Sequence, residues 1–247
     1  MARAHNHLIE RLPRMERTRF LAICKPVELL SAEVLCESGT PTRHVYFPID
    51  GVISLVADSG GGSEYPPSSR STRSPLEGKS MLEVGMVGSE GMVGTQLVLG
   101  VGESPLQALV QGTGSAWRIA AAPFCHELAR NTALRASLNR YVCVTMNQLA
   151  SSVVCQRFHR IGPRLARWLL MTQDRTHADS FHVTHQFLAD MLGVRRVGVT
   201  TAAVALQRLE LIRYRRGELE VLDRRGLEAA ACRCYAAERQ AYFDIVH

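Results

Sequence analysis

The sequence has no run of about 18 or more consecutive apolar residues, so no segment is expected to cross a membrane as a helix. No secretory signal is expected, because His5, His7 and Glu10 interrupt the amino-terminal stretch and no apolar core follows them. There is no CxxC pair, and the cysteines are odd in number: Cys24, Cys36, Cys125, Cys143, Cys155, Cys232 and Cys234. Together these absences point to a reducing cytoplasm. No HExxH or GxxxxGK motif and no nucleophile–base–orienter set is present, which argues against an enzyme. His159, His177, His182 and His185 gather around one region without completing such a set, and no metal site is expected.

Charge and apolar content are what the chain does have. An apolar fraction of 46% supports a real core in a chain of 247 residues, enough for one large domain or two ordinary ones. The net charge of +6 suits a polyanionic partner. Most of the basic excess is arginine, whose rigid fork donates two parallel hydrogen bonds to phosphate or guanine.

Residues 8–24 predict a short helical region with Leu8, Leu12, Met15, Phe20, Leu21 and Cys24 as its stripe, ended by Pro26. From Val27 the segments VELL, EVLCESG, HVYFPIDGVISLVAD, LEVGMVG, GMVGTQLVLG, QALVQ and SAWRIA read as about eight brief strands forming a small barrel or sandwich over residues 25–122. Residues 59–80, dominated by glycine, serine and proline, read as a mobile loop joining two of these strands. Leu134, Leu138, Tyr141, Val142, Met146, Leu149 and Val153 predict a long helix over about 132–158. With few charges in its middle it must be buried, either within the chain or against a second subunit, although its heptads are irregular. A further helix follows over 163–175, with Leu165, Trp168, Leu169 and Met171 assigned to the core.

The most specific signal lies between His182 and Arg225. Thr184 is placed to cap a helix over 185–192, Gly193 allows a tight turn, and Val194 packs the corner. A second helix runs from Arg195 or Arg196 to Leu209, with Val199, Ala203, Leu206 and Leu209 inward and Arg195, Arg196, Gly198, Thr200 and Thr201 outward. In a helix-turn-helix the second helix enters the major groove with its amino-terminal residues nearest the bases. Arg195, Arg196 and Thr201 are therefore the candidate base contacts, with Arg196 suited to bidentate guanine recognition. The run IRYRRGELEVL predicts a two-stranded wing turning at Arg216-Gly217. Thr184, Thr200, Arg213, Arg215 and Arg216 are the candidate phosphate contacts. Asp223 is placed to cap a last helix over about 224–243, which would hold Cys232 and Cys234.

Through HVYFPIDGVISLV, VGMVGSEGMVG, the long helix and the winged helix, nearly the whole chain resembles the cyclic-AMP receptor protein and fumarate-nitrate regulator (Crp/Fnr) family of bacterial transcription factors. The resemblance implies an α+β chain: a cyclic-nucleotide-binding-like β jelly-roll barrel in residues 1–131, a dimerisation helix in 132–160 and a winged helix-turn-helix in 161–247. It implies a homodimer on palindromic double-stranded DNA, a small-molecule effector and a contact with RNA polymerase. The family's recognition contacts map onto Arg196, Val197 and Thr201, where arginine, glutamate and arginine are common. Val197 cannot accept from cytosine N4 as glutamate does, so a different operator is expected.

The resemblance also places an effector pocket at Gly88, Glu90, Gly91, Met92, Val93 and Gly94. No arginine stands between Gly91 and Gln111, so a cyclic phosphate would lack its bidentate partner, and tight cyclic-AMP binding is not expected. Only Cys24 and Cys36 lie in the first 120 residues, which does not match a four-cysteine iron–sulfur site. His44 and His126 could ligate haem iron, but surface or packing roles fit them better, and the cofactor is left unidentified. Cys125, Cys143 and Cys155 are either oxidation sensors or, more simply, buried inert thiols. The alternative function is a protein-interaction scaffold with a vestigial DNA-binding domain.

Overall fold

The computed structural model describes residues 6–58 and 81–246. The predicted amino-terminal helix is two short ones, α1 (His7–Glu10) and α2 (Arg14–Ala22). Pro13, with no N–H to donate, stands at the break. Met15 points to solvent, while Leu8, Leu12, Phe20 and Cys24 are buried. Pro26 does not end a helix but sits inside the first strand.

Seven strands follow among the described residues: β1 (Lys25–Leu29), β2 (Val34–Cys36), β3 (His44–Asp50), β4 (Ile53–Asp58), β5 (Met81–Val87), β6 (Gln107–Val110) and β7 (Gly114–Ala120). They form two antiparallel sheets, ordered β1-β7-β3 and β2-β6-β4-β5. The segment GMVGTQLVLG is not a strand. It makes one isolated bridge, Tyr46 to Val93, and then a 3-10 turn over Thr95–Leu99, entered and left by glycines in left-handed conformation. The predicted loop at 59–80 lies outside the described residues, but the strands it joins are antiparallel neighbours, with Asp58 paired to Met81.

The two sheets share a core. Leu29, Tyr46 and Ala116 from the first meet Ile53, Leu55, Val87, Ala108 and Val110 from the second. The opposite face of the first sheet, with Val45, Phe47 and Ile119, is covered by Leu8, Phe20, Phe124, Leu134 and Leu138 from helices. Both faces of β3 are therefore buried, which explains why VYFP is a continuous run rather than an alternation.

Helix α3 (Ala121–Arg130) leads to α4 (Thr132–Phe158), the predicted long helix, capped by the Asn131 side chain on Leu134 N–H. One face of α4 packs on the β5 region and the 3-10 turn. Its exposed face carries Ala136, Asn139, Cys143, Met146, Ala150, Val153 and Arg157, at alternating spacings of three and four. That regular seam is hidden in the sequence because buried apolar residues of the other face interleave with it.

Next come α5 (Ile161–Thr176), β8 (Ser180–His182), α6 (His185–Leu192), α7 (Arg196–Arg208), β9 (Ile212–Arg215) and β10 (Glu218–Val221). The connection between α5 and α6 is not loop alone, because Ser180 opens β8, the third strand of a sheet ordered β8-β10-β9. The predicted last helix is broken at 231–233 into α8 (Arg224–Ala230) and α9 (Cys234–Val246). Asp223 does cap α8, accepting from Gly226 N–H at 2.9 Å. No helix is long and apolar enough to cross a membrane among the described residues.

Candidate nucleic-acid interface

The helix-turn-helix is built from the core outward. Leu165, Trp168 and Leu169 of α5 pack with Leu188 and Leu192 of α6, Val199, Ala203 and Leu206 of α7, and Ile212, Leu219 and Val221 of the wing. Thr184 caps α6 by accepting from Phe187 N–H at 3.1 Å. Gly193 closes α6 at φ 61, a left-handed conformation that other residues adopt with strain. Val194 packs the corner, half-buried against the same core.

Burial of one side of α7 leaves the other outward. Arg195, in the N-cap position, and Arg196, Val197 and Thr201 are all exposed at its amino-terminal end. Val197, 69% exposed, is an apolar side chain in the midst of this polar face. The Thr201 hydroxyl donates back to Val197 carbonyl at 3.0 Å. Two expectations fail here. Leu209 is 65% exposed, because it caps α7 at its carboxy-terminal end, past the last buried turn. Gly198 faces inward, since a Cβ there would lie 2.7 Å from Ile161 Cδ1.

Thr200 is half-buried, with its hydroxyl 3.0 Å from His185 Nδ1 and 3.1 Å from Arg196 carbonyl. His185 also stacks on Tyr214, ring centroids 4.4 Å apart, and the Tyr214 hydroxyl donates to Val183 carbonyl. Thr200, His185 and Tyr214 thus lock α6, α7 and the wing in one arrangement. Burial, and secondarily the positive Arg196, hold the His185 imidazole below its usual value and favour its neutral form. Nothing in the local sequence around His185 signals this bracing role, which depends on α7 and the wing arriving beside it.

On the wing, Arg216 at φ 54 and Gly217 at φ 88 form the tight turn between β9 and β10, as the dipeptide predicts. Arg213, Arg215 and Arg216 are exposed beside α7. Arg213 is paired with Glu220 at 2.6 Å, an exposed bridge across the hairpin that costs little to exchange for a phosphate.

The segment resembling an effector pocket is filled by the chain's own helices. Arg175 of α5 meets Glu90 at 2.9 Å, and the Tyr242 hydroxyl of α9 reaches Glu90 carbonyl at 3.2 Å. A Cβ at Gly91 would sit 1.9 Å from the Tyr141 hydroxyl, so only glycine admits that ring. Met92 and Val93 are buried, Gly88 N–H donates to Glu90 at 3.2 Å, and Gly94 enters the 3-10 turn. Arg175, far away in sequence, carries no signal that links it to Glu90. His126, Cys125 and Cys143 are exposed rather than buried, whereas Cys155 is buried.

Residues 163–230 match the family model of the Crp-like helix-turn-helix domain. No curated protein matches the sequence. Among solved structures, FixK2 from Bradyrhizobium japonicum superimposes with a TM-score of 0.66 at 12% identity, covering 85% of this chain and 98% of that one. The c-di-GMP responsive global regulator CLP from Xanthomonas campestris superimposes at 0.62 with 16% identity, covering 85% and 100%. A CRP/FNR family transcriptional regulator from Thermus thermophilus superimposes at 0.59 with 19% identity, covering 84% and 98%. The chain therefore has the fold of Crp/Fnr-type transcriptional regulators, with a β-rich amino-terminal half and a helix-turn-helix.

Proposed function

We propose that the chain is a sequence-specific DNA-binding transcriptional regulator that works as a homodimer on a palindromic operator. One observation carries this reading: the amino-terminal end of α7 presents Arg195, Arg196, Val197 and Thr201 on an exposed face, beside a wing bearing Arg213, Arg215 and Arg216. Arg196 reads guanine through its fork, and Arg195 and Thr201 complete the base-facing set. The wing arginines and Thr184 position the phosphate backbone. Thr200, already engaged by His185, acts chiefly by orienting α7, with any phosphate contact made from that fixed position. The exposed apolar Val197 favours contact with a thymine methyl over hydrogen bonding to cytosine.

The exposed three-and-four seam on α4 supports a parallel helix pair that sets two copies of α7 on paired half-sites. The division into a β-rich effector half (1–131), a dimer helix (132–160) and a winged helix (161–247) follows from this reading. Gly88–Gly94 is engaged by Tyr141, Arg175 and Tyr242, which supports control without tight cyclic-AMP binding. A different small-molecule effector and a contact with RNA polymerase complete the reading.

DNase footprinting on the DNA upstream of the protein's own coding sequence tests it. The expected result is a protected inverted repeat whose occupancy falls steeply with salt. Uniform, unprotected binding at all salt concentrations would overturn the reading.

A further inference from the structure

We propose that Cys155, His159, Cys232 and Cys234 form a closed site for one soft divalent cation of the zinc class, clamping the end of α4 to the connector between α8 and α9. Cys155 and His159 stand one helical turn apart, on the last turn and C-cap of α4, so both face the same way. Cys232 and Cys234 flank a single arginine at the break between α8 and α9. The four ligand atoms all lie within 4.8 Å of one another. Cys155 Sγ is 3.5 Å from Cys232 Sγ, and Cys234 Sγ is 3.5 Å from His159 Nδ1.

These separations fit a mononuclear tetrahedron. Metal–sulfur bonds of about 2.3 Å and metal–nitrogen bonds of about 2.0 Å give edges of about 3.8 Å between sulfurs and about 3.5 Å between sulfur and nitrogen. Three thiolates and one imidazole select a thiophilic ion and exclude magnesium or calcium, which prefer oxygen ligands. With all four positions supplied by the chain, no open position is left for substrate, which makes the site structural.

The surroundings are built for it. The three cysteines are 2%, 7% and 6% exposed and form a small cluster of their own. The ligand-bearing backbone is held by hydrogen bonds from His159 N–H to Cys155 carbonyl and from Cys232 N–H to Pro163 carbonyl, each 3.2 Å. A dication with three thiolates and a neutral imidazole carries a net charge of minus one. Arg164 and Arg167 stand close enough to interact electrostatically with Cys155 and Cys232, which balances that charge. On binding, three S–H bonds ionise, their protons pass to solvent, and three metal–sulfur bonds and one metal–nitrogen bond form without any change of oxidation state. Because α9 packs along α4, the ion fastens this helix pair at the point where α4 hands over to the winged helix.

The test uses the full chain, expressed without a histidine tag in zinc-supplemented medium and purified under reducing conditions. Elemental analysis is expected to find about one zinc per chain. Replacement by cobalt is expected to produce the d–d bands of a tetrahedral ion together with thiolate-to-cobalt charge transfer. C155S and C232S should lose the metal, whereas C125S, at an exposed cysteine on α3, should keep it. H159N, at a half-buried helix end, should keep its circular dichroism spectrum while losing about tenfold or more in zinc affinity against a chelator. Wild-type protein without stoichiometric zinc would overturn the proposal. So would metal retention by H159N equal to that of wild type, or a Cys155–Cys232 disulfide with no zinc bound.

Discussion

Glu90, on the turn after β5, is bound by Arg175 of α5 at 2.9 Å, joining the β-rich half of the chain to the helix that carries the winged helix. Both side chains are largely buried, at 19% and 13% exposure. Burial works most strongly against the Arg175 charge, and Glu90, assisted by Tyr141, Glu238 and Asp174, overcomes it and raises the arginine above its usual value.

Arg175→Met leaves the Glu90 carboxylate without its partner in a poorly solvated place. The expected cost is about 3 kcal/mol, read as a lower midpoint of urea denaturation with an unchanged slope. Glu90→Gln should also be clearly destabilising, because it leaves the more deeply buried Arg175 guanidinium facing a neutral amide in place of its counter-charge. A loss within about 0.5 kcal/mol for Arg175→Met would contradict a joint at this position.

Arg196→Ala is expected to weaken operator binding by about 1–3 kcal/mol while lowering affinity for random DNA much less. Arg215→Ala should instead reduce the dependence of log affinity on log salt by about one charge on both DNAs. Fluorescence anisotropy across a salt series separates the two behaviours, and equal losses for Arg196→Ala on both DNAs would remove its base-reading role.

Glu83 of β5 accepts from Ser54 Oγ at 2.6 Å and Gln111 Nε2 at 2.7 Å. Burial pushes its carboxyl from 4.5 up to about 7, against opposing effects of Ser54, Arg167, Trp168 and Arg175. Its folded value lies above its unfolded one, so the folded state binds more protons between them and stability falls as pH rises through that window. The shift sets an upper limit of about 3 kcal/mol. Glu83→Gln should flatten this decline, measured by urea denaturation at about pH 5 and about pH 8. An unchanged slope would show that another group titrates.

Cys143 lies in the middle of the exposed α4 seam, between Asn139 and Met146. In a parallel, in-register helix pair the two copies of Cys143 face each other, so mild oxidation should yield a disulfide-linked dimer that Cys143→Ser abolishes. Met146→Asp, at a residue 64% exposed in the single chain, should shift the protein to monomer in light scattering while leaving its helix content intact. A monomeric wild-type protein would break the link between α4 and paired half-sites.

Thr184→Ala removes the α6 cap and should cost about 1 kcal/mol of stability, and with the phosphate contact also gone, affinity should fall beyond that loss and by a similar factor on operator and random DNA. Differential scanning calorimetry paired with anisotropy checks this.

What could be read from the chain alone was local. Thr184 and Asp223 announce helix starts because a short polar side chain satisfies the free N–H groups beside it, and Gly193 and Arg216-Gly217 mark turns through their backbone freedom. The bounds of α4, α6 and the wing followed from such signals and from apolar periodicity. The signals misled where several structures share one pattern. GMVGTQLVLG has the composition of a strand yet makes a 3-10 turn, and Gly198 and Leu209 exchanged their expected faces because α5 approaches one and nothing in the described chain covers the other. Only the tertiary structure decided that Arg175 answers Glu90 across 85 residues and that Cys155 meets Cys232 across 77. The physical reason is the same for both: caps and turns are settled within a few bonds of the residues that make them, whereas a buried charge or thiol acquires its partner only when distant segments are packed together.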